Sequence, residues 1–158
     1  MAKTQSTRDA YGEVLAQMGQ INPDVVALDC DLSSSTRSGL FAKAFPERFF
    51  NIGIAESNMM GIAAGLARSG KIPFASTFAI FATGRAYDQI RQSIAYPGFN
   101  VKIVGSHGGL TVGPDGATHQ SLEDVALMRA LPGMTVVVPC DARETELAVK
   151  AAVDFDGP

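Results

Sequence analysis

Glu56 stands in the run Asn51-Ile52-Gly53-Ile54-Ala55-Glu56-Ser57-Asn58-Met59-Met60, where a strand end turns into a helix of mostly apolar or small residues. Two readings of this carboxylate are open. An acid in a first helical turn faces the positive end of the helix dipole, a common arrangement that contributes roughly 0.3–1 kcal/mol. Against that stand Ile54, Met59, Met60 and Ile62. A carboxyl group stripped of water by such neighbours keeps its proton to higher pH and can share it near neutrality. Phe78 and Phe81 lie one helical turn apart, with Tyr87 further on. Such aromatics serve either as core or, at a strand end, as a flat apolar wall for a planar ring.

Both histidines of the chain, His107 and His119, fall in Gly105-Ser106-His107-Gly108-Gly109-Leu110-Thr111-Val112-Gly113-Pro114-Asp115-Gly116-Ala117-Thr118-His119-Gln120. Loop histidines beside a carboxylate make an acid–base and hydroxyl-binding set. Together with one Asp they match no zinc-ligand spacing. The glycines of this stretch fit neither the strand–G-x-x-x-x-G-K-[ST]–helix phosphate loop nor G-x-G-x-x-G, so no nucleotide site is expected.

These residues must be positioned by an alternation of strands and helices. Residues 8–20 space Tyr11, Val14, Leu15 and Met18 at helical intervals, and Asn22-Pro23 ends the helix. Residues 25–29 form a short apolar run that suits a strand buried on both faces, and 32–39 read as a Ser/Thr loop before a short helix ending near Pro46. The alternation continues with strands at 49–52, 72–78, 101–105 and 135–138, and helices at 55–68, 83–95, 121–130 and 142–155. This rhythm predicts an α/β fold: a doubly wound, mainly parallel sheet with helices on both faces and ligands gathered beyond the carboxyl ends of the strands. The small residues Gly61, Ala64 and Gly65 permit close helix approach.

A length of 158 residues suits one domain over 1–158. The closing Asp154-Phe155-Asp156-Gly157-Pro158 reads as a helix end that would feed another strand, hence as truncated at the C-terminus. A formal net charge of −3 without long runs of either sign argues against a grip on nucleic acid or anionic lipid. Cys30 and Cys140 each follow a strand-like run and read as reduced core residues. With no leader-type N-terminus and no apolar run of membrane length, a soluble cytoplasmic protein is expected.

Three motifs in register carry a resemblance: Ile52-Gly53-Ile54-Ala55-Glu56; Ser76-Thr77-Phe78 with Phe81 and Arg85-Ala86-Tyr87-Asp88-Gln89-Ile90-Arg91; and Gly113-Pro114-Asp115-Gly116-Ala117-Thr118-His119-Gln120. From about Arg8 to its end, the chain resembles the pyrimidine-binding domain of transketolases, above all the separately encoded C-terminal half of split transketolases. The resemblance implies thiamine diphosphate as cofactor, a two-carbon ketol transfer between sugar phosphates, and a place in the pentose phosphate pathway. Glu56 would hydrogen-bond the aminopyrimidine and favour its imino form, which removes the thiazolium proton, and Phe78 and Phe81 would line the ring. Asp31 would lie near the cofactor. Asp115 would bind a substrate hydroxyl, His107 and His119 would handle substrate oxygens or protons, and Arg8 and Ser35 would bind the sugar phosphate. Simple readings of Arg8 as a solvated helix start, Ser35 as a cap and Asp31 as a turn former remain open.

Two departures stand out. Gly84 occupies the place of a third aromatic, so Tyr87 is a candidate to complete the pocket. The family's Gly-Asp-Gly run with a downstream Asn, which holds Mg2+ or another divalent metal and the diphosphate, does not occur. The resemblance therefore implies a diphosphate-binding partner subunit or domain, a site formed between the two, and a homo-oligomer, with self-association of the isolated domain expected through Ile54, Met59 and Met60. A deoxyxylulose phosphate synthase, the β-type component of a 2-oxoacid dehydrogenase and a non-catalytic binding or dimerisation module are the alternatives.

Overall fold

The structure, a computed structural model, describes residues 5–158; Met1 to Thr4, where the reading of the N-terminus began, lie outside it. Four parallel strands form one sheet: β1 (Val25–Asp29), β2 (Phe49–Asn51), β3 (Ile72–Phe78) and β4 (Lys102–Ser106), in the order β2-β1-β3-β4. Central strands of such a sheet are covered on both faces, and β1 is buried at every residue. One face carries α1 (Thr7–Ile21), α3 (Gly39–Ala44) and α7 (Ala142–Asp154) over a core of Leu15, Phe41, Phe74 and Val149. The other carries α4 (Glu56–Arg68) and α6 (Asp124–Arg129) over Met59, Met60, Ile90 and Ile94. The expected doubly wound α/β sheet is present.

Local chemistry explains the element ends. Ser6 caps α1 by accepting from the Asp9 amide, and Asp141 caps α7 by accepting from the Glu144 amide, each satisfying an orphan N–H. Gly12 lies where α1 crosses the loop after β1; a Cβ there would meet the Arg37 carbonyl oxygen at 2.5 Å. That loop contains α2 (Ser33–Thr36).

Several expectations are corrected. Residues 135–138 form no strand, although their valines suit one. Their one bond outside regular structure is from the Thr135 amide to the Pro158 carbonyl, and Val137 is 66% exposed. A β-rich composition becomes a strand only where an edge offers a ladder. The helix expected over 83–95 is instead two π-helical turns, Phe81–Arg85 and Ile90–Ala95, flanking α5 (Tyr87–Gln89). Met59 and Met60 are fully buried, so only Ile54 of the proposed self-association patch is exposed. Among the described residues, Cβ atoms added at Gly61 and Gly65 would meet nothing within 4 Å, so no close helix approach uses them. Cys30 is buried as expected, but Cys140 is exposed. Among the described residues, no helix is long and apolar enough to cross a membrane.

Candidate functional site

The loops at the carboxyl ends of β1, β3 and β4 and the start of α4 converge on one rim. Three non-glycine residues with left-handed backbones, Asp31 (φ 64°), Arg37 (φ 67°) and His107 (φ 58°), all sit on these loops. Such conformations cost on the order of 1–3 kcal/mol each and gather at functional sites. They were invisible in the sequence.

Phe78 ends β3 and Phe81 opens the following π-helical turn, and the passage from strand to helix between them brings their rings to 5.7 Å with an interplanar angle of 13°. His107 follows β4 directly and lies 4.1 Å from the Phe78 ring, centroid to centroid. His119, in the 3-10 turn Ala117–His119, meets Phe81 edge-on at 5.3 Å. The result is an aromatic wall with an imidazole on one ring and another at its edge. Ser106 Oγ lies 2.8 Å from His107 Nδ1, and Thr118 Oγ1 2.9 Å from His119 Nδ1. Burial holds His107 below the ordinary imidazole range; the Arg8 charge adds to this and Asp115 opposes it. His107 is thus within electrostatic reach of both Arg8 and Asp115, although Asp115 itself is exposed.

Glu56 begins α4 and is 4% exposed. It is buried, yet its surroundings are not the purely apolar pocket of the second reading. Arg85 Nη1 donates to Glu56 Oε1 at 3.0 Å, and the same guanidinium lies 4.0 Å from the centre of the Phe81 ring. Sequence reasoning missed this partner, which is 29 positions away and was quoted only as part of a motif. Tyr87, the candidate to replace the aromatic missing at Gly84, packs against the core beneath α4.

The β1 loop is held from within. Asp29, fully buried, accepts from the Leu32 amide at 2.6 Å, Thr36 Oγ1 at 2.7 Å and Ser38 Oγ at 2.8 Å. Burial still pushes its carboxyl above the usual carboxylate range, with Thr36, Leu32 and Ser38 opposing. Asn51 ties this loop to the approach to α4: its Oδ1 accepts from the amides of Asp31 and Gly53, and its Nδ2 donates to Asp31 Oδ1. Neither Asp29 nor Asn51 stood out in the sequence. Arg8 Nη1 points to the Ser35 carbonyl at 3.5 Å, and Arg37 pairs with Asp9 at 2.7 Å. The contacts fall into two groups, one of Glu56, Phe78, Phe81, His107 and His119 with Asp115 near His107, and one of Arg8, Ser35 and Asp31 around the β1 loop, whereas Tyr87 lies in the core.

A buried carboxyl beside a near-parallel aromatic wall suits a flat heteroaromatic ring with a basic nitrogen at its edge. Among the described residues, no group of three or more His, Cys, Asp or Glu side chains could hold a metal ion.

Residues 3–158 match the family model described as transketolase, pyrimidine binding domain. The chain is 54% identical over 151 residues to a putative transketolase C-terminal section of Methanocaldococcus jannaschii, covering 96% of this chain and 48% of that protein. It is 45% identical over 153 residues to the transketolase of Homo sapiens, covering 96% of this chain and 24% of that one. A solved structure described as a split gene transketolase, inactive beta4 tetramer, superposes with a TM-score of 0.87 at 58% identity, covering 99% of this chain and 50% of the other. The chain spans about half the length of the archaeal and split relatives.

Proposed function

The chain belongs to the transketolase pyrimidine-binding domain family, and on that premise we propose that it supplies the acid and the substrate contacts of a ketol-transferring site completed by a diphosphate-binding partner. The observation that carries the reading is the joining of Glu56 to the Phe78–Phe81 wall through one arginine, which touches both. These residues fit the aminopyrimidine half of thiamine diphosphate. When bound, the cofactor supplies an acidic carbon that becomes the nucleophile toward a ketose carbonyl.

The chain's own residues do the rest. Glu56 meets the ring nitrogen and shares a proton with it, and the low exposure of its carboxyl keeps water from competing. Phe78 and Phe81 provide stacking area and keep that edge dry. His107, held neutral by burial and Arg8, serves as an acceptor for substrate hydroxyl protons, and Asp115 and His119 hold the remaining substrate oxygens. Arg8 and Ser35 receive the sugar phosphate, the arginine through charge-assisted bonds. Asp31, fixed by Asn51, borders the cofactor. The diphosphate and Mg2+ or another divalent ion would be held by the partner, and the assembly would be a homo-oligomer of such pairs.

The test is reconstitution with a diphosphate-binding transketolase subunit, assaying ketol transfer between sugar phosphates beside decarboxylation of a 2-oxoacid. Ketol transfer that is lost in Glu56→Gln supports the reading. Decarboxylation alone would move the chain to the 2-oxoacid dehydrogenase type. An undiminished Glu56→Gln complex would return Glu56 to a helix-start acid in a non-catalytic module.

A further inference from the structure

The proposed chemistry leaves Arg85 without a task, although among the described residues it is the side chain that both hydrogen-bonds the acid and lies over the aromatic wall. Its side chain is half exposed, yet it is held at three points. Nη1 donates to Glu56 Oε1 at 3.0 Å, the guanidinium carbon Cζ lies 4.0 Å from the Phe81 centroid, and the backbone carbonyl accepts from Ser57 Oγ at 2.8 Å. Two of these contacts, those with Glu56 and Ser57, are with the first turn of α4. Arg85 also closes the π-helical turn Phe81–Arg85, a geometry that recurs at functional sites because it re-aims side chains.

A surface ion pair would contribute little, but one partner here is almost fully buried. The same guanidinium lies over a ring proposed to face the cofactor. Among the described residues, Glu56 Oε2 has no hydrogen bond within the protein, so one oxygen is held and one is left open. Cys30, the titratable neighbour just past the end of β1, does not compete for the proton: burial pushes its thiol up to about 11, the Ala55 backbone hydrogen bond and Arg85 opposing and the Glu56 and Asp29 charges adding to it.

We propose that Arg85 is a positioning residue, which holds Oε1 of Glu56 so that Oε2 is presented to the ring nitrogen at the Phe81 wall. The inference rests on the reading of Glu56 given above. A guanidinium does this where an ammonium does not, because its planar fork can stack on Phe81 and donate sideways at the same time. Its charge also stabilises the carboxylate left when the shared proton lies on the ring nitrogen.

The test compares Arg85→Met, Arg85→Lys and Glu56→Gln in the reconstituted complex. Three quantities are read: cofactor affinity by calorimetry, deuterium exchange at the cofactor's reactive carbon, and kcat and KM for ketol transfer. Arg85→Met should slow both exchange and kcat by roughly ten- to a hundredfold, the scale of a misplaced catalytic group. Cofactor affinity and sugar-phosphate KM should stay within about threefold, under 1 kcal/mol. Arg85→Lys should recover less than half of the loss on a logarithmic scale, and Arg85→Met should add nothing in the Glu56→Gln background. Full activity in Arg85→Lys would mean that charge alone suffices and would overturn the proposal, as would additive losses in the double variant. Arg85→Gln, which keeps a donor for Oε1, gives the same comparison should the methionine variant fail to assemble. A Glu56→Gln complex that exchanges at the wild-type rate would overturn the proposed function itself. A slow Glu56→Gln complex beside a fast Arg85→Met one would overturn only the role of Arg85.

Discussion

Asp29 and Glu56 are both buried carboxyls at the rim of the same sheet, and they are treated in opposite ways. Asp29 ends β1 and receives three neutral donors, all from residues within nine positions. Its charge is met by dipoles, its geometry is closed, and the reward is a loop that can hold Asp31 and Arg37 in left-handed conformations. Glu56 receives one donor, a half-exposed cation from a distant loop, and keeps an oxygen open. A carboxyl satisfied from within its own loop supports structure. One left half-satisfied beside a flat wall is available to a ligand, because a buried acceptor without a partner gains most when something arrives to bond it.

The sharpest way to break this contrast is to swap the consequences. Glu56→Gln should reduce ketol transfer by the reconstituted complex at least a hundredfold, about 2.7 kcal/mol of barrier, while its urea midpoint barely moves. Retention of more than about a tenth of the rate, under ~1.4 kcal/mol, would end the catalytic assignment. Asp29→Ala should do the reverse, costing roughly 2–4 kcal/mol in denaturant unfolding because an amide and two hydroxyls lose their acceptor inside the fold. Should Asp29→Ala unfold at the wild-type midpoint, the description of that network as the strut of the β1 loop is wrong.

Smaller effects sharpen the contrast on the Glu56 side. Phe81→Ala should weaken cofactor binding about three- to tenfold, near the 0.5–1.5 kcal/mol that a stacked pair contributes beyond area, whereas Asp115→Asn should leave cofactor affinity alone and raise the sugar-phosphate KM. Calorimetry beside steady-state kinetics separates the two, and a cofactor defect in Asp115→Asn would place that residue on the wrong side of the site. The smallest effect concerns pH. Burial depresses the folded-state pKa of His107 below its ordinary 6.5, so the unfolded chain takes up that proton first. Stability should therefore fall as pH drops below about 6.5 toward the folded value. The decline should be shallower in His107→Asn, and an unchanged slope across that window would remove His107 from the account.

Much of the fold was legible because short-range patterns carry it. The 3.6-residue spacing of Tyr11, Val14, Leu15 and Met18 is buried against the sheet as α1, and the apolar run of β1 is covered on both faces. The loops and element ends beyond the strands hold most of the residues named as candidates, while Arg8 lies on α1. The run at 135–138 misled because β-branched composition speaks of a strand's surface and not of a neighbouring edge to pair with. The π-helical turns around α5 were hidden for a similar reason, since helical periodicity does not reveal one extra residue in a turn.

The site divides along the same line. Residue types and local order were enough to mark Glu56, the two phenylalanines and the two histidines as candidates, since a lone acid at a strand-to-helix turn and aromatics at a strand end are local features, while their roles came from the resemblance. Which groups surround them was decided only when β3 paired beside β1 and brought the turn after Phe78 over the start of α4. That pairing put Arg85 on Glu56 in place of the apolar pocket that the nearby methionines had suggested, and sent those methionines into the core. Distance along the chain carries no information about such a meeting, because the strand pairing that closes the intervening loop is determined by burial on the sheet and not by the two residues that it brings together.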